Sequence, residues 1–242
     1  MDVAIGTALF GAVCGPLLAR AAYELSVEYG APARTACRHC GEALPTSLAS
    51  RLGWAGKCHH CKRLLGPRVW LVAIAGAVAG GLVGHRIGND PSVIAFSAFA
   101  MVCVLLAFID VAVRRLPDML TGPLAAFGLV GLGTTSYLAR DMTPVYRGLI
   151  GAALAGGFFL ALAWFRPDGK GMGLGDAKLA AVLGLYLGWL GWKDLVFGFF
   201  AGTFVAALFA VALVATGRVD RKSSIPYGPF LLLGAAIALL VG

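Results

Sequence analysis

Charged side chains are scarce in this chain: 12 Asp and Glu and 20 Lys and Arg in 242 residues, 13% of the total, against 59% apolar residues. That balance excludes an ordinary water-soluble core and leaves a polytopic membrane protein. Histidine is scarcer still, with 4 copies. His39, His59 and His60 fall in one polar loop and His85 beyond the following apolar run, so no Ser/His or Cys/His arrangement offers a nucleophile with its base. No basic stretch precedes the first apolar run after Met1-Asp2, which argues against a cleaved signal and predicts that this run stays in the bilayer. Glycine, by contrast, is abundant at 34 copies. Closely packed helices in lipid account for that, and it points to no activity by itself.

Eight apolar runs are present: Val3 to Ala22, Val69 to Gly84, Ser92 to Val113, Leu120 to Leu138, Leu149 to Phe165, Ala177 to Leu190, Leu195 to Thr216 and Tyr227 to Val241. They predict an all-α polytopic membrane protein of about eight transmembrane helices with a small cytoplasmic zinc-ribbon-like loop. The sixth and eighth runs are short for a hydrocarbon layer of about 30 Å, as helices buried against their neighbours would be. Of the 20 Lys and Arg, Arg20 closes the first run, the odd connections hold 15, and the even ones hold four, Arg86, Arg140, Arg147 and Lys193. The positive-inside rule assigns the odd connections to the cytoplasm and both termini to the outside. The net charge of +8 then records topology and implies no nucleic-acid partner.

The longest connection carries Cys37-Arg-His-Cys40 and Cys58-His-His-Cys61, two Cys-x2-Cys pairs separated by 17 residues. A two-residue gap lets one turn present two thiolates to a tetrahedral ion, and this spacing suits a zinc-ribbon-like knuckle. A pair of disulfides is the alternative, which a reducing compartment disfavours. His39, His59 and His60 could each replace a thiolate, but four cysteines already fill the shell. A full shell has no open position, so the zinc is read as structural. Cys14 and Cys103 lie inside apolar runs and are read as packing residues.

Two aspartates stand out against the apolar background. Asp110 ends Phe108-Ile109-Asp110 near the end of the third run, and Asp176 closes Gly173-Leu174-Gly175-Asp176. A carboxylate at membrane depth costs roughly 2.5–3.5 kcal/mol on insertion scales, so it needs a partner or a task. The two are 66 residues apart with two crossings between them, which returns both to one membrane face. Paired carboxylates can share a proton, one activating water as base and the other polarising a carbonyl as acid. Gly173 and Gly175 would leave room for a substrate strand beside Asp176. The plainer reading pairs Asp110 with Arg114 at helical spacing and Asp176 with Lys178 or Lys170. Asp118, just after Pro117, rivals Asp110, although with only Met119 between it and the fourth run it is placed to cap that helix. The glycine-rich, basic stretch from Arg166 to Met172 reads equally as a lid or as a solvated connection.

Four motifs taken together are far more specific: Gly173-x-Gly175-Asp176-x-Lys178-Leu179, Asp110 with Leu116-Pro117-Asp118-x-Leu120-Thr121, Ile225-Pro226-Tyr227-Gly228-Pro229-Phe230, and the double Cys-x2-Cys loop. Over nearly its whole length the chain resembles the type IV prepilin peptidases, bifunctional leader peptidase/N-methyltransferases. The resemblance implies an aspartic endopeptidase of the inner membrane with Asp110 and Asp176 as its catalytic pair and Asp118, Gly173, Gly175 and Lys178 around them. It also implies cleavage of a basic leader after a glycine in type IV prepilins or type II secretion pseudopilins, then methylation of the new N-terminus from S-adenosylmethionine. The expected division is residues 1–23 as first helix, 24–68 as cytoplasmic zinc-binding loop and 69–242 as transmembrane aspartyl peptidase domain. The chain departs from the family pattern in its first half. Gly11 and Arg20 keep the register of the family's first span, but Gly15 stands where an Asn is usual and no Pro follows Arg20. After the second cysteine pair, Pro67-Arg68-Val69-Trp70-Leu71-Val72 lacks the usual acid. These positions belong to the half associated with methylation and substrate entry. From the residues alone, a peptidase for other membrane-anchored proteins and a non-enzymatic scaffold docking a partner through its zinc loop stay open. Oligomeric state is not legible.

Overall fold

The computed structural model describes residues 2–28, 30–53, 56–164, 173–216 and 227–241. The stretch from Arg166 to Met172, with Lys170, lies outside them, as does the Ile225-Pro226 pair. Nine helices are described: α1 (Asp2–Leu25), α2 (Leu48–Arg51), α3 (Val69–Ile87), α4 (Val93–Val113), α5 (Asp118–Leu138), α6 (Thr143–Trp164), α7 (Leu174–Leu190), α8 (Trp192–Ala215) and α9 (Gly228–Val241). Strands are absent from the described residues, which hold only two isolated bridges, Ala36 with Ala43 and Lys57 with Leu64. Apart from the single turn of α2, the helices coincide with the eight apolar runs. Six of them, α1, α3, α4, α5, α6 and α8, are long and apolar enough to cross a membrane.

The largest shift in a boundary is at α6, which begins at Thr143 instead of Leu149. Asp141 accepts the Thr143 amide at 2.9 Å, and this local turn starts the helix while the sequence is still polar. Asp90 does the same for Ser92 at 2.8 Å ahead of α4. The extra turn of α6 carries Arg147, whose guanidinium donates to the carbonyls of Gly188, Trp189 and Leu190 at the end of α7. Those carbonyls have no partner within their own helix.

Two compact units make up the chain, Met1–Asn89 with Ser97–Arg114, and Asp90–Phe96 with Arg115–Gly242. In the first, α1 and α3 cross backbone to backbone. Gly11 meets Gly76, Gly80 meets Thr7, and a Cβ on Gly15 would stand 2.6 Å from the Ala73 Cα. Lipid is as apolar as the helices, so apolar area alone does not drive association; close van der Waals contact at small residues does. That geometry explains one departure from the family pattern, because the crossing at Ala73 has no room for a side chain as large as Asn at position 15.

In the second unit, α7 is packed by α5, α6, α8 and α9. Ten of its 17 residues are buried, among them Leu179, Leu183, Tyr186 and Leu187. A helix packed by four others along most of its length need not match the bilayer's thickness, and this accounts for its shortness. The α6 contact again runs through glycine: a Cβ on Gly151 would lie 2.6 Å from the Gly184 carbonyl oxygen. Tyr186 is held by the Leu124 carbonyl at 3.3 Å and by an edge-on contact with Phe96 at 5.3 Å.

Candidate active site and metal centre

The cysteine loop folds as two knuckles of the same design, offset by 21 positions. In the first, the Cys37 amide bonds the Glu42 carbonyl at 2.8 Å and the Gly41 amide returns to Cys37 at 2.9 Å. In the second, the Cys58 amide bonds Arg63 at 2.9 Å and the Lys62 amide returns to Cys58 at 3.0 Å. Each turn needs a residue with positive φ just after its second cysteine, filled by Gly41 at 73° and by Lys62 at 58°. Leu44 and Leu65, also equivalent, pack with Cys37, Cys58 and Tyr23 into one small core. Tyr23, on α1, ties this core to the membrane helix: its hydroxyl donates to Ala36 at 3.0 Å and accepts the Arg38 amide at 2.8 Å. Nothing in the sequence pattern singled out Tyr23.

All four sulfurs lie within 4.8 Å of one another. Cys37 and Cys61 are 3.8 Å apart and Cys40 and Cys58 3.7 Å. A disulfide would bring sulfurs to about 2.05 Å, and these cysteines are free. A tetrahedron with metal–sulfur bonds of about 2.3 Å has edges of about 3.8 Å. The geometry therefore fits a tetrahedral metal ion. The electrostatics fit as well. The His39 amide holds the Cys37 thiol down at about 7, and the Cys61 amide lowers Cys58. For Cys40 the Glu42 amide also lowers the pKa, but burial and the neighbouring thiols outweigh it and push the group up to about 12. Thiolates this close compete for ionisation, and a central cation would remove the competition.

Asp110 lies in the last turn of α4, only 4% exposed. Its carbonyl accepts the Arg114 amide at 2.8 Å, and Arg114 takes φ 54°, ending the helix. Pro117 then caps α5 in an extended conformation. Asp118 does not cap that helix: it is the first helical residue and pairs with Lys178 at 2.7 Å, both side chains well exposed. This also engages the cation that had been a candidate partner for Asp176. Asp176 is instead the third residue of α7, its carboxylate accepting the Gly173 amide at 3.1 Å.

The two glycines before Asp176 differ. A Cβ on Gly175 would stand 3.3 Å from the Leu116 Cβ, so the space there is filled by the chain's own Leu116. At Gly173 such an atom would meet, among the described residues, nothing nearer than Asp176 Oδ2 at 3.7 Å. Among those residues, Leu116 fills the space at Gly175 and none fills it at Gly173. Tyr227, from the motif that opens α9, donates to the Thr203 hydroxyl of α8 at 2.8 Å.

A cavity of about 510 Å³ opens among α5, α6 and α7, lined by Thr121, Ala125, Ala152 and Ala181 together with Asp118 and Lys178. Lys178, Ala181, Val182 and Leu185 share one face of α7, and a residue two positions from Lys178 projects from another face. The cavity thus adjoins Lys178 and not the Asp176 side of the helix. Helical spacing in 178–185 was the signal that could have predicted it. Asp110 belongs to the first unit, and Asp118, Asp176 and Lys178 to the second.

Residues 97–211 match the type IV leader peptidase family. Three curated relatives named prepilin leader peptidase/N-methyltransferase illustrate the similarity. One from Burkholderia pseudomallei (strain 1026b) is 37% identical over 249 residues, covering 96% of this chain and 73% of the relative. One from Pseudomonas aeruginosa is 31% identical over 217 residues, covering 86% and 71%. One from Bacillus subtilis (strain 168) is 29% identical over 242 residues, covering 97% and 92%. No solved structure gives a significant match. With the cysteine knuckles, the paired glycines before Asp176 and the buried Asp110 all lying within the aligned length, the chain belongs to the type IV leader peptidase family and is a membrane-embedded peptidase.

Proposed function

We propose that Asp110 and Asp176 are the catalytic carboxylates of an aspartic endopeptidase acting at the cytoplasmic face of the inner membrane. Its substrates are type IV prepilins or pseudopilins, cut after the glycine that ends a basic leader. The observation that carries this reading is the burial of Asp110, 4% exposed at the end of a membrane-spanning helix, where an ionisable group is costly without a function. Asp176 sits at the start of α7, and two helices long and apolar enough to cross a membrane, α5 and α6, separate it in the chain from α4, which supports reading both carboxylates at one face.

In the cycle one carboxylate is ionised and the other protonated. The first takes a proton from water as its oxygen attacks the scissile carbonyl carbon, and the second donates its proton to the carbonyl oxygen. Collapse of the adduct breaks the C–N bond, and a carboxyl group delivers a proton to the leaving amine. The Gly173 amide donates to the Asp176 carboxylate and so fixes its orientation at the start of α7. Cys37, Cys40, Cys58 and Cys61 would hold a zinc ion in a structural role, since four thiolates would fill its shell and leave the hydrolysis to the carboxylates. Methylation of the new N-terminal amine follows, with S-adenosylmethionine as donor.

Mass spectrometry of a pilin-like substrate from cells carrying the unaltered protein tests the reading, because the cleaved bond and the added methyl group appear in one measurement. A mature N-terminus following glycine, and its loss in Asp110→Asn and Asp176→Asn, is the expected result. An intact leader with the unaltered protein overturns the assignment.

A further inference from the structure

A small cavity of about 90 Å³ lies in the first unit where the last turns of α1 meet the cysteine loop. Three cations line it, Arg20, Arg51 and Lys57, on apolar walls that include Ala19, Leu65 and Val69. Among the described residues a single acid, Glu24, pairs with this cluster: its Oε1 accepts Arg20 Nε at 2.8 Å and lies 3.7 Å from Arg51 Nη2. One carboxylate against three cations leaves a local charge of +2. The Arg20 side chain is only 12% exposed and meets Glu24 through Nε, leaving its two terminal amino groups for another acceptor. Arg51 Nε is buried with no hydrogen-bond partner among the described residues. Buried donors of this kind ordinarily have acceptors.

We propose that this cavity binds a phosphate group. Guanidinium forks and an ammonium match the several oxygens of a phosphate, which offers acceptors in more directions than the planar pair of a carboxylate. The size of the cavity admits a phosphate and excludes an adenosyl group or a nucleotide base. Arg20 lies one turn and a half from the end of a helix long and apolar enough to cross a membrane, a position from which a basic side chain can meet a lipid headgroup. The phosphate therefore comes either from an anionic phospholipid or from solution.

Modification of arginine by phenylglyoxal in the full-length, metal-loaded protein, mapped by peptide mass spectrometry, distinguishes the sources. Arg51 is the reporter, and Arg68, exposed and outside the cavity lining, is the reference. In phosphatidylcholine nanodiscs, saturable slowing at Arg51 by added inorganic phosphate identifies a site for the free ion. Slowing only when phosphatidylglycerol is included identifies the headgroup. In either arm the expected protection is about tenfold at Arg51 and absent at Arg68, the ratio that loss of one charge-assisted contact produces. Arg20→Gln should abolish it. Lys57→Gln, with metal content verified, should weaken it in a protein whose α1 is unaltered. Equal protection at Arg51 and Arg68, no protection by either probe, or full protection in both variants overturns the proposal.

Discussion

The cysteine loop and the helical body are stabilised by different means. Around the cysteines, two short turns with almost no apolar core converge on four sulfurs, and the small cluster of Tyr23, Leu44 and Leu65 is too slight to order the loop alone. In the helical body, cohesion comes from glycine: α1 meets α3 at Gly11 and Gly76, and α6 meets α7 at Gly151 and Gly184. A metal ion can be removed and restored, while a backbone contact is either present or blocked. Damage to one region should therefore leave the other's readout intact, and each experiment below tries to break that independence.

The largest expected effect is on cleavage. Asp110→Asn and Asp176→Asn should each lower the leader-cleavage rate by about 10²–10⁴-fold, the range of a lost general acid or base, while metal content stays at that of the unaltered protein. Cys58→Ser should do the converse, releasing the metal because an incomplete thiolate shell binds weakly. Measuring both quantities on all three variants separates the regions; metal loss in Asp176→Asn would join them. Asp118→Asn, which removes one side of an exposed ion pair, should cost less than tenfold, since such pairs contribute about 0–1 kcal/mol.

Next comes the glycine contact. Gly184→Val places a side chain against the Gly151 backbone, where a Cβ already has no space. It should destabilise the protein by about 3 kcal/mol or more in detergent unfolding, whereas Gly157→Val, on a face of α6 with no described residue within 4 Å, should be near neutral. Similar losses at both positions would mean that glycine acts here through chain flexibility and not through close approach.

Sequence and structure agree best where a pattern is local. The Cys-x2-Cys spacing fixes a turn, and the apolar runs fix helices whose ends move by only a few residues, because both depend on neighbours in the chain. Long-range partners were not legible. Asp118 read as a cap and Lys178 as a partner of Asp176, yet the two pair with each other across 60 positions, an arrangement set by how α5 meets α7. Arg147 read only as one of few cations on its face, but it closes the end of α7. Arg147→Met should therefore cost about 2–3 kcal/mol in unfolding, the loss of charged hydrogen bonds to three carbonyls. A change under about 0.5 kcal/mol would return Arg147 to the topology reading.

The smallest effect tests the equivalence of the knuckles. Gly41 and Lys62 occupy the same position with φ 73° and 58°, a conformation that costs a residue with a side chain roughly 1 kcal/mol and costs glycine little. Among the described residues no atom lies within 4 Å of a Cβ built on Gly41, so Gly41→Ala changes backbone preference without a clash there. It should weaken metal retention by about 1 kcal/mol, or roughly fivefold in a competition with a chromophoric chelator. At position 62 the charge of lysine near the thiolates complicates a direct comparison, so Lys62→Gly is set against Lys62→Ala. Both lose the ammonium and differ only in the conformation they prefer. Glycine should hold the metal more tightly than alanine by about the same fivefold factor. If the two knuckles answer alike, turn geometry governs the cysteine loop; if only position 41 responds, the second knuckle is held by its surroundings, with Leu65 and Tyr23 the first contacts to examine.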